Sequence, residues 1–160
     1  MNWNFKDSYT DLPNVYYSNV KPEEFQNPKL ILFNTDLAND LNLNINNNEE
    51  EICNFLLGKK LSNKKFFSQA YAGHQFGHFT ILGDGRAIIL GEHLTNTNER
   101  FDIQLKGSGQ TPYSRNGDGK AVLGPMIREY LISEAMHYLG IPSTRALAVI
   151  TTGEKILRDK

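Results

Sequence analysis

The sequence predicts an α+β fold: an antiparallel β-sheet with one long helix, preceded by a mostly helical amino-terminal extension. Three observations carry that expectation. Ten of the 13 glycines fall between Gly73 and Gly124, too concentrated for ordinary turn punctuation. Short β-type runs alternate with glycine and polar turns through the same stretch. Beyond it, apolar residues recur at three- and four-residue steps from Leu123 to Leu139, the period of a helix.

Residues 1–70 form the extension. Helical patterning is centred on Thr35 to Leu41 and on Asn48 to Leu57. The string LNLNINNNEEE between them reads as a loop leading into a helix start, capped by Asn47 or Asn48. Composition changes at Tyr71, and residues 71–160 form the second part. There, Phe79 to Leu82 and Ala87 to Leu90 read as the arms of a hairpin with Gly83-Asp84-Gly85-Arg86 at its tip. A third strand, Phe101 to Lys106, follows the polar turn Thr95-Asn96-Thr97-Asn98. The next string, GSGQTPYSRNGDGKA, has almost no apolar anchor and is expected to be a surface loop. The helix after it is stopped by Gly140 and Pro142. Its face of Leu123, Met126, Ile127, Tyr130, Leu131, Ala135, Tyr138 and Leu139 is expected to be core. Ala146 to Thr151 and Glu154 to Leu157 read as two last strands around Gly153.

Composition narrows the function. A formal charge of -1 argues against a broad phosphate-binding surface of the kind that nucleic acids need. No apolar run reaches the length of a membrane span and the start lacks a secretory layout, so the expected compartment is cytoplasmic. Cys53 is the sole cysteine, which excludes an intramolecular disulfide and a cysteine zinc cluster and leaves packing as its expected role. His74 and His78 are four apart, but Gln75-Phe76-Gly77 between them suits a turn better than a metal-binding helix.

A glycine tip, a lysine ending the third strand and a helix after it follow the plan of a protein-kinase amino-terminal lobe with one αC-type helix. Glycines let backbone approach phosphates, the lysine supplies a cation, and a helix carboxylate holds that lysine. On a helical wheel drawn from Leu123, Glu134 lies near the middle of the apolar face and Glu129 well off it. Spacing alone therefore selects Glu134 as the partner of Lys106.

The strings YAGHQFGHF, LGDGRAIILGE, IQLKGSGQTPYSRNGDGKAVLGP, IREYLISEAMHYLGIPSTRAL and the opening FKDSYTDLP resemble the selenoprotein O family, densely from Tyr71 to Leu147 and more loosely toward both ends. The resemblance implies a kinase-like fold that binds ATP in a flipped orientation. Such a fold transfers AMP to hydroxyl groups of Ser, Thr or Tyr in substrate proteins and releases pyrophosphate. It implies ATP contacts from Gly83, Gly85, Arg86, Lys106, Asp118 and Gly119, with Glu129, not Glu134, orienting Lys106. By the same resemblance, the phosphate-clamping arginines, the catalytic aspartate and the ligands for Mg2+ or Mn2+ lie beyond Lys160, in a carboxy-terminal lobe absent from this sequence. No catalytic base and no metal ligand is expected within it, and the chain is expected to be a fragment or a truncated gene product that binds ATP weakly or not at all by itself.

Two other readings use the same residues: a kinase-type phosphotransferase segment and a non-catalytic ATP-binding module. Arg115 and Lys120 flank the loop as either phosphate contacts or solvated charges. Tyr113 and Ser114 are candidate acceptors of AMP in self-modification. A lobe without its partner is expected to expose apolar surface and to be poorly soluble.

Overall fold

The computed structural model describes residues 3–45, 48–61, 63–75 and 77–157. Two short 3-10 turns, Tyr9–Asp11 and Asn14–Tyr16, precede β1 (Tyr17–Val20) and β2 (Lys29–Phe33). Then come α1 (Thr35–Asp40), α2 (Glu49–Leu56), β3 (Phe66–Gln75), β4 (His78–Gly83), β5 (Ala87–Leu94) and β6 (Arg100–Lys106). The series ends with α3 (Leu123–Tyr138) and β7 (Ala148–Thr151). All strand pairing is antiparallel, so the fold is α+β as the sequence predicts. The extension is less helical than expected, because β1 and β2 both lie in it. The chain forms two compact units, one of Glu24–Lys60 with Val122–Lys160 and the first three residues, the other of Asn4–Glu23 with Leu61–Ala121.

In the first unit, helix ends follow local chemistry. Asn34 caps α1 by accepting the Leu37 N–H at 3.0 Å. Asn48 caps α2 by accepting those of Glu50 and Glu51 at 3.1 and 3.3 Å. Asn47, the other candidate cap, lies outside the described residues. Three glutamates in the first turn of α2 suit the positive end of its dipole. Helices α1, α2 and α3 each end on a left-handed residue: Asn42, Gly58 and Gly140. In each case the next N–H reaches back five residues, from Leu43 to Ala38, Lys59 to Asn54 and Ile141 to Met136. Leu37, Ala38, Leu41, Ile52, Cys53, Phe55, Leu56 and Val149 are buried in this unit. Trp3 stacks on Phe55 with ring centroids 4.5 Å apart.

Two expectations fail in this unit. Residues 154–157 form no strand; β7 pairs instead with β2, from Lys29↔Thr151 to Phe33↔Ala148. Gly153 has φ +82 and lies so close to Asn27 that a Cβ would stand 3.0 Å from the Asn27 Cβ. The expected core face of α3 is not core. None of its residues is buried, and Leu131, Tyr138 and the capping Leu139 are 60%, 73% and 73% exposed. Within this unit α3 packs on β7, and a two-stranded sheet is too narrow to cover a full apolar face. Met126, Ile127, Tyr130 and Glu134 are half-buried.

The second unit is a sheet in the order β1-β3-β5-β6, with β4 also on β3. Its core includes Phe67, Ile88, Ile89 and Leu90. The predicted hairpin between Phe79 to Leu82 and Ala87 to Leu90 does not form. Instead β4 pairs with the far half of β3, from Gln75↔His78 to Ala70↔Gly83, while β5 joins its near half at Phe67↔Ile89. Both segments run antiparallel to β3 and share its long ladder. The strand FFSQAYAGHQ escapes a sequence reading because Ser, Gln, Gly and His dilute its β signal. The β5–β6 hairpin and its turn form as expected, with the Thr95 N–H on the Glu99 carbonyl at 2.9 Å and Asn98 left-handed.

The opening string FKDSYTD fastens this unit. Phe5 bridges to His93, and the Asp7 carboxylate accepts the Glu92 N–H at 2.9 Å and pairs with Lys64. Buried Glu92 accepts the N–H groups of Ser8 and Tyr9, the latter at 2.7 Å, the Ser8 hydroxyl at 2.8 Å and the Arg100 guanidinium at 3.1 Å. Burial pushes the Glu92 carboxyl up, but these donors together hold it below the ordinary glutamate value.

Candidate functional site

Six of the seven site residues expected from sequence lie in the second unit. Lys106 ends β6 opposite Ala87, and the following Gly107 N–H donates to the Arg86 carbonyl at 2.7 Å. Arg86 and Lys106 therefore leave neighbouring chains at one end of the sheet, and both are exposed. Two adjacent exposed cations suit a polyanion.

The Gly83-Asp84-Gly85-Arg86 turn interrupts the β3 ladder without breaking it. The Asp84 N–H donates to the Gln69 carbonyl at 2.9 Å, and the Asp84 carboxylate accepts the Gln69 N–H at 3.1 Å in place of a backbone oxygen. Asp84 is buried, and that burial raises its pKa against the opposing pull of the Gln69 N–H and the Lys106 charge.

The loop from Gly107 to Ala121 is not the plain surface loop expected. Ser108, Gly109, Thr111 and Gly119 are buried, and only its outer part is open. It can be buried because many of its polar groups are paired locally, although the Ser108 hydroxyl has no partner among the described residues. Ser108 and Lys120 form a β-bridge across its base, and the Ser108 carbonyl accepts the Glu23 N–H at 2.8 Å. Asp118 accepts the Lys120 N–H at 2.9 Å, and Gln110 donates to the Gly117 carbonyl at 2.7 Å. Lys120 pairs with Glu23 at 3.1 Å, so it is more than a solvated charge. Arg115 is exposed with φ 57. Gly119 has φ +68, and a Cβ there would stand 1.9 Å from the Gly109 carbonyl oxygen.

The two loops are bound together by residues that the sequence reading did not single out for this. The Thr111 hydroxyl donates to the Asp84 carbonyl at 2.7 Å, and the Ser114 hydroxyl donates to the Gly85 carbonyl. Tyr113 lies against the turn: a Cβ on Gly83 would be 2.3 Å from its ring, and one on Gly85 2.8 Å from its carbonyl oxygen. Packing by Tyr113 thus already accounts for both glycines. The Tyr113 hydroxyl pairs with the Ser18 hydroxyl at 2.9 Å, while the Ser114 hydroxyl is engaged with Gly85. No spacing rule predicts this clasp, since its partners are 27 and 29 residues apart.

Glu129 lies on α3 in the first unit and is half-buried. Glu134, the wheel's choice, is held by Arg145 through Nε at 3.0 Å and Nη2 at 2.7 Å, and Arg145 also reaches Asp40 at 3.2 Å. Its carboxyl is lowered chiefly by the Arg145 hydrogen bonds. His74 and His78 flank the turn of the β3–β4 hairpin, and His74 packs edge-on against Phe79 with centroids 5.5 Å apart. Phe76 lies outside the described residues. Among the described residues no group of three or more His, Cys, Asp or Glu could hold a metal ion. No helix among them is long and apolar enough to cross a membrane.

A protein nucleotidyltransferase YdiU of Brevibacillus brevis is 59% identical over 159 residues, 98% of this chain and 32% of that protein. Those of Pelagibacter ubique and Halalkalibacterium halodurans are 55% and 58% identical over 160 and 159 residues, 99% and 98% of this chain and 33% and 32% of theirs. The chain thus spans about a third of the length of the curated relatives it matches. The profile of the family described as protein adenylyltransferase SelO matches residues 1–160. The chain belongs to the SelO family of protein adenylyltransferases.

Proposed function

We propose that this chain is the nucleotide-cradling segment of an enzyme that transfers AMP from ATP to hydroxyl side chains of proteins and releases pyrophosphate. Residues 71–160 would carry the incomplete kinase-like catalytic domain. The observation that supports this most is the meeting of Arg86, Lys106 and two glycine-bearing loops at one end of one sheet, in a chain of this family. Lys106 and Arg86 bind the phosphates as cations, and Gly83, Gly85, Asp118 and Gly119 shape the backbone around them. Glu134 is committed to Arg145, which leaves Glu129 as the helix carboxylate that the family resemblance assigns. A divalent metal, Mg2+ or Mn2+, would screen the phosphate charge, but the described residues supply no cluster for it. By the family resemblance, its ligands and the catalytic base would come from a carboxy-terminal lobe.

The test joins residues 1–160 to the carboxy-terminal two thirds of the Brevibacillus brevis relative. The product is incubated with a protein substrate and ATP labelled on either the α- or the γ-phosphate. Label is expected from the α position alone, falling about 100-fold with Lys106→Ala. Label from the γ position would make the segment part of a phosphotransferase instead. A folded product giving neither would leave only a nucleotide-binding module.

A further inference from the structure

We propose that Thr111 and Ser114 are positioning residues for the nucleotide. They hold the Gly83–Arg86 turn in the orientation that offers a phosphate an N–H and a guanidinium instead of carbonyl oxygens. The inference rests on the nucleotide reading above and deepens it.

A turn built to meet an anion must keep its carbonyl oxygens away from it, because each is the negative end of a peptide dipole. Two carbonyls are at issue, those of Asp84 and Gly85, and each receives one hydroxyl: Thr111 on Asp84 at 2.7 Å and Ser114 on Gly85. The peptide bonds described are all trans, so each N–H points opposite the carbonyl of its own peptide plane. Anchoring the Gly85 carbonyl on Ser114 therefore turns the Arg86 N–H to the other side of the turn. The Gly85 N–H folds back onto the Gly83 carbonyl at 2.8 Å.

The hydroxyls are themselves fixed in direction. Ser114 Oγ accepts the Thr111 N–H at 2.8 Å while donating to Gly85, and Thr111 Oγ1 accepts the Tyr113 N–H at 3.1 Å while donating to Asp84. Neither proton is free to rotate away without losing a bond. Tyr113, between them in sequence, presses on Gly83 and stops the turn from moving toward the loop. A turn with two glycines would otherwise sample many orientations, and fixing it in advance removes an ordering cost from binding.

The experiment follows amide shifts of the isotope-labelled full chain titrated with magnesium-ATP, a readout that reaches weak affinities. Thr111→Val with Ser114→Ala is expected to raise the Kd about tenfold, the loss of roughly one net hydrogen bond's worth of binding. Hydrogen exchange at Gly85 and Arg86 should quicken in parallel. Thr111→Ser with Ser114→Thr keeps both hydroxyls and should return the Kd to within about twofold of the unsubstituted chain. A purely structural role would not make affinity follow the hydroxyls. If the double variant does not fold, Ser114→Ala alone is read in the same way. A folded variant with unchanged Kd, in a chain whose ATP binding still depends on Lys106, overturns this inference and leaves the nucleotide reading standing. If neither the unsubstituted chain nor its product joined to the carboxy-terminal two thirds of the Brevibacillus brevis relative shows ATP binding that depends on Lys106, the nucleotide reading falls and this inference with it.

Discussion

Arg145 grips Glu134 with two parallel hydrogen bonds, Nε to Oε1 at 3.0 Å and Nη2 to Oε2 at 2.7 Å, while its remaining nitrogen reaches Asp40. Both side chains of the pair are mostly buried, with 14% and 16% of their surface exposed. The glutamate that helical spacing places on the inner face of α3 thus ties the helix to the segment before β7. Its charge is answered inside its own unit.

Removing the guanidinium leaves a largely buried carboxylate without its main donors. Arg145→Ala should cost about 2 kcal/mol of unfolding free energy, read from urea denaturation at neutral pH. The pH dependence has a definite sign. The folded carboxyl of Glu134 lies below its ordinary value of 4.5, so its contribution is complete above that value and is lost as pH falls through the lower, folded one. The gap between parent and variant should therefore narrow from pH 7 toward pH 3; a gap that widened on acidification would contradict the assignment.

Gly83→Ala places a methyl group in the Tyr113 ring, which must shift or leave. The substitution should destabilise by about 2 kcal/mol, within the range for overpacking. Adding Tyr113→Ala should then cost less than it does in the parent, because the collision is gone. Strictly additive midpoints in thermal denaturation would show that Gly83 is needed for some other reason.

Ser108 Oγ is buried and has no hydrogen-bond partner among the described residues. Ser108→Ala removes that unmet polar group at little cost in packing, so stability should stay level or rise by up to about 1 kcal/mol. A marked loss of stability in the melting curve would reveal a partner for the hydroxyl.

Glu92→Gln keeps the shape of the side chain but weakens its bonds with Ser8, Tyr9 and Arg100. A loss of about 2 kcal/mol is expected. The amides of Ser8 and Tyr9 should show it first, as faster hydrogen exchange, ahead of those in β5.

Local chemistry made much of this protein legible from sequence. Asn48 caps α2 because its short amide reaches the N–H groups two and three residues on, and Gly140 ends α3 because only a left-handed residue fits there. The β5–β6 hairpin, the lysine at its end and the family itself were legible for the same reason, since each is written in contiguous residues. Pairing across distance was not. That β4 and β5 share one edge of β3, that β2 is the partner of β7, and that Tyr113 explains Gly83 all depend on contacts between residues far apart in the chain. Apolar periodicity showed that α3 has a greasy face but not what lies against it, and the face proved largely open. The sequence alone determined the family and nominated Arg86, Lys106 and the neighbouring glycines as candidates to hold a polyphosphate. Only the tertiary structure decided which carbonyls are turned aside and which carboxylates are already spent, because those outcomes are set by three-dimensional proximity rather than by order along the chain.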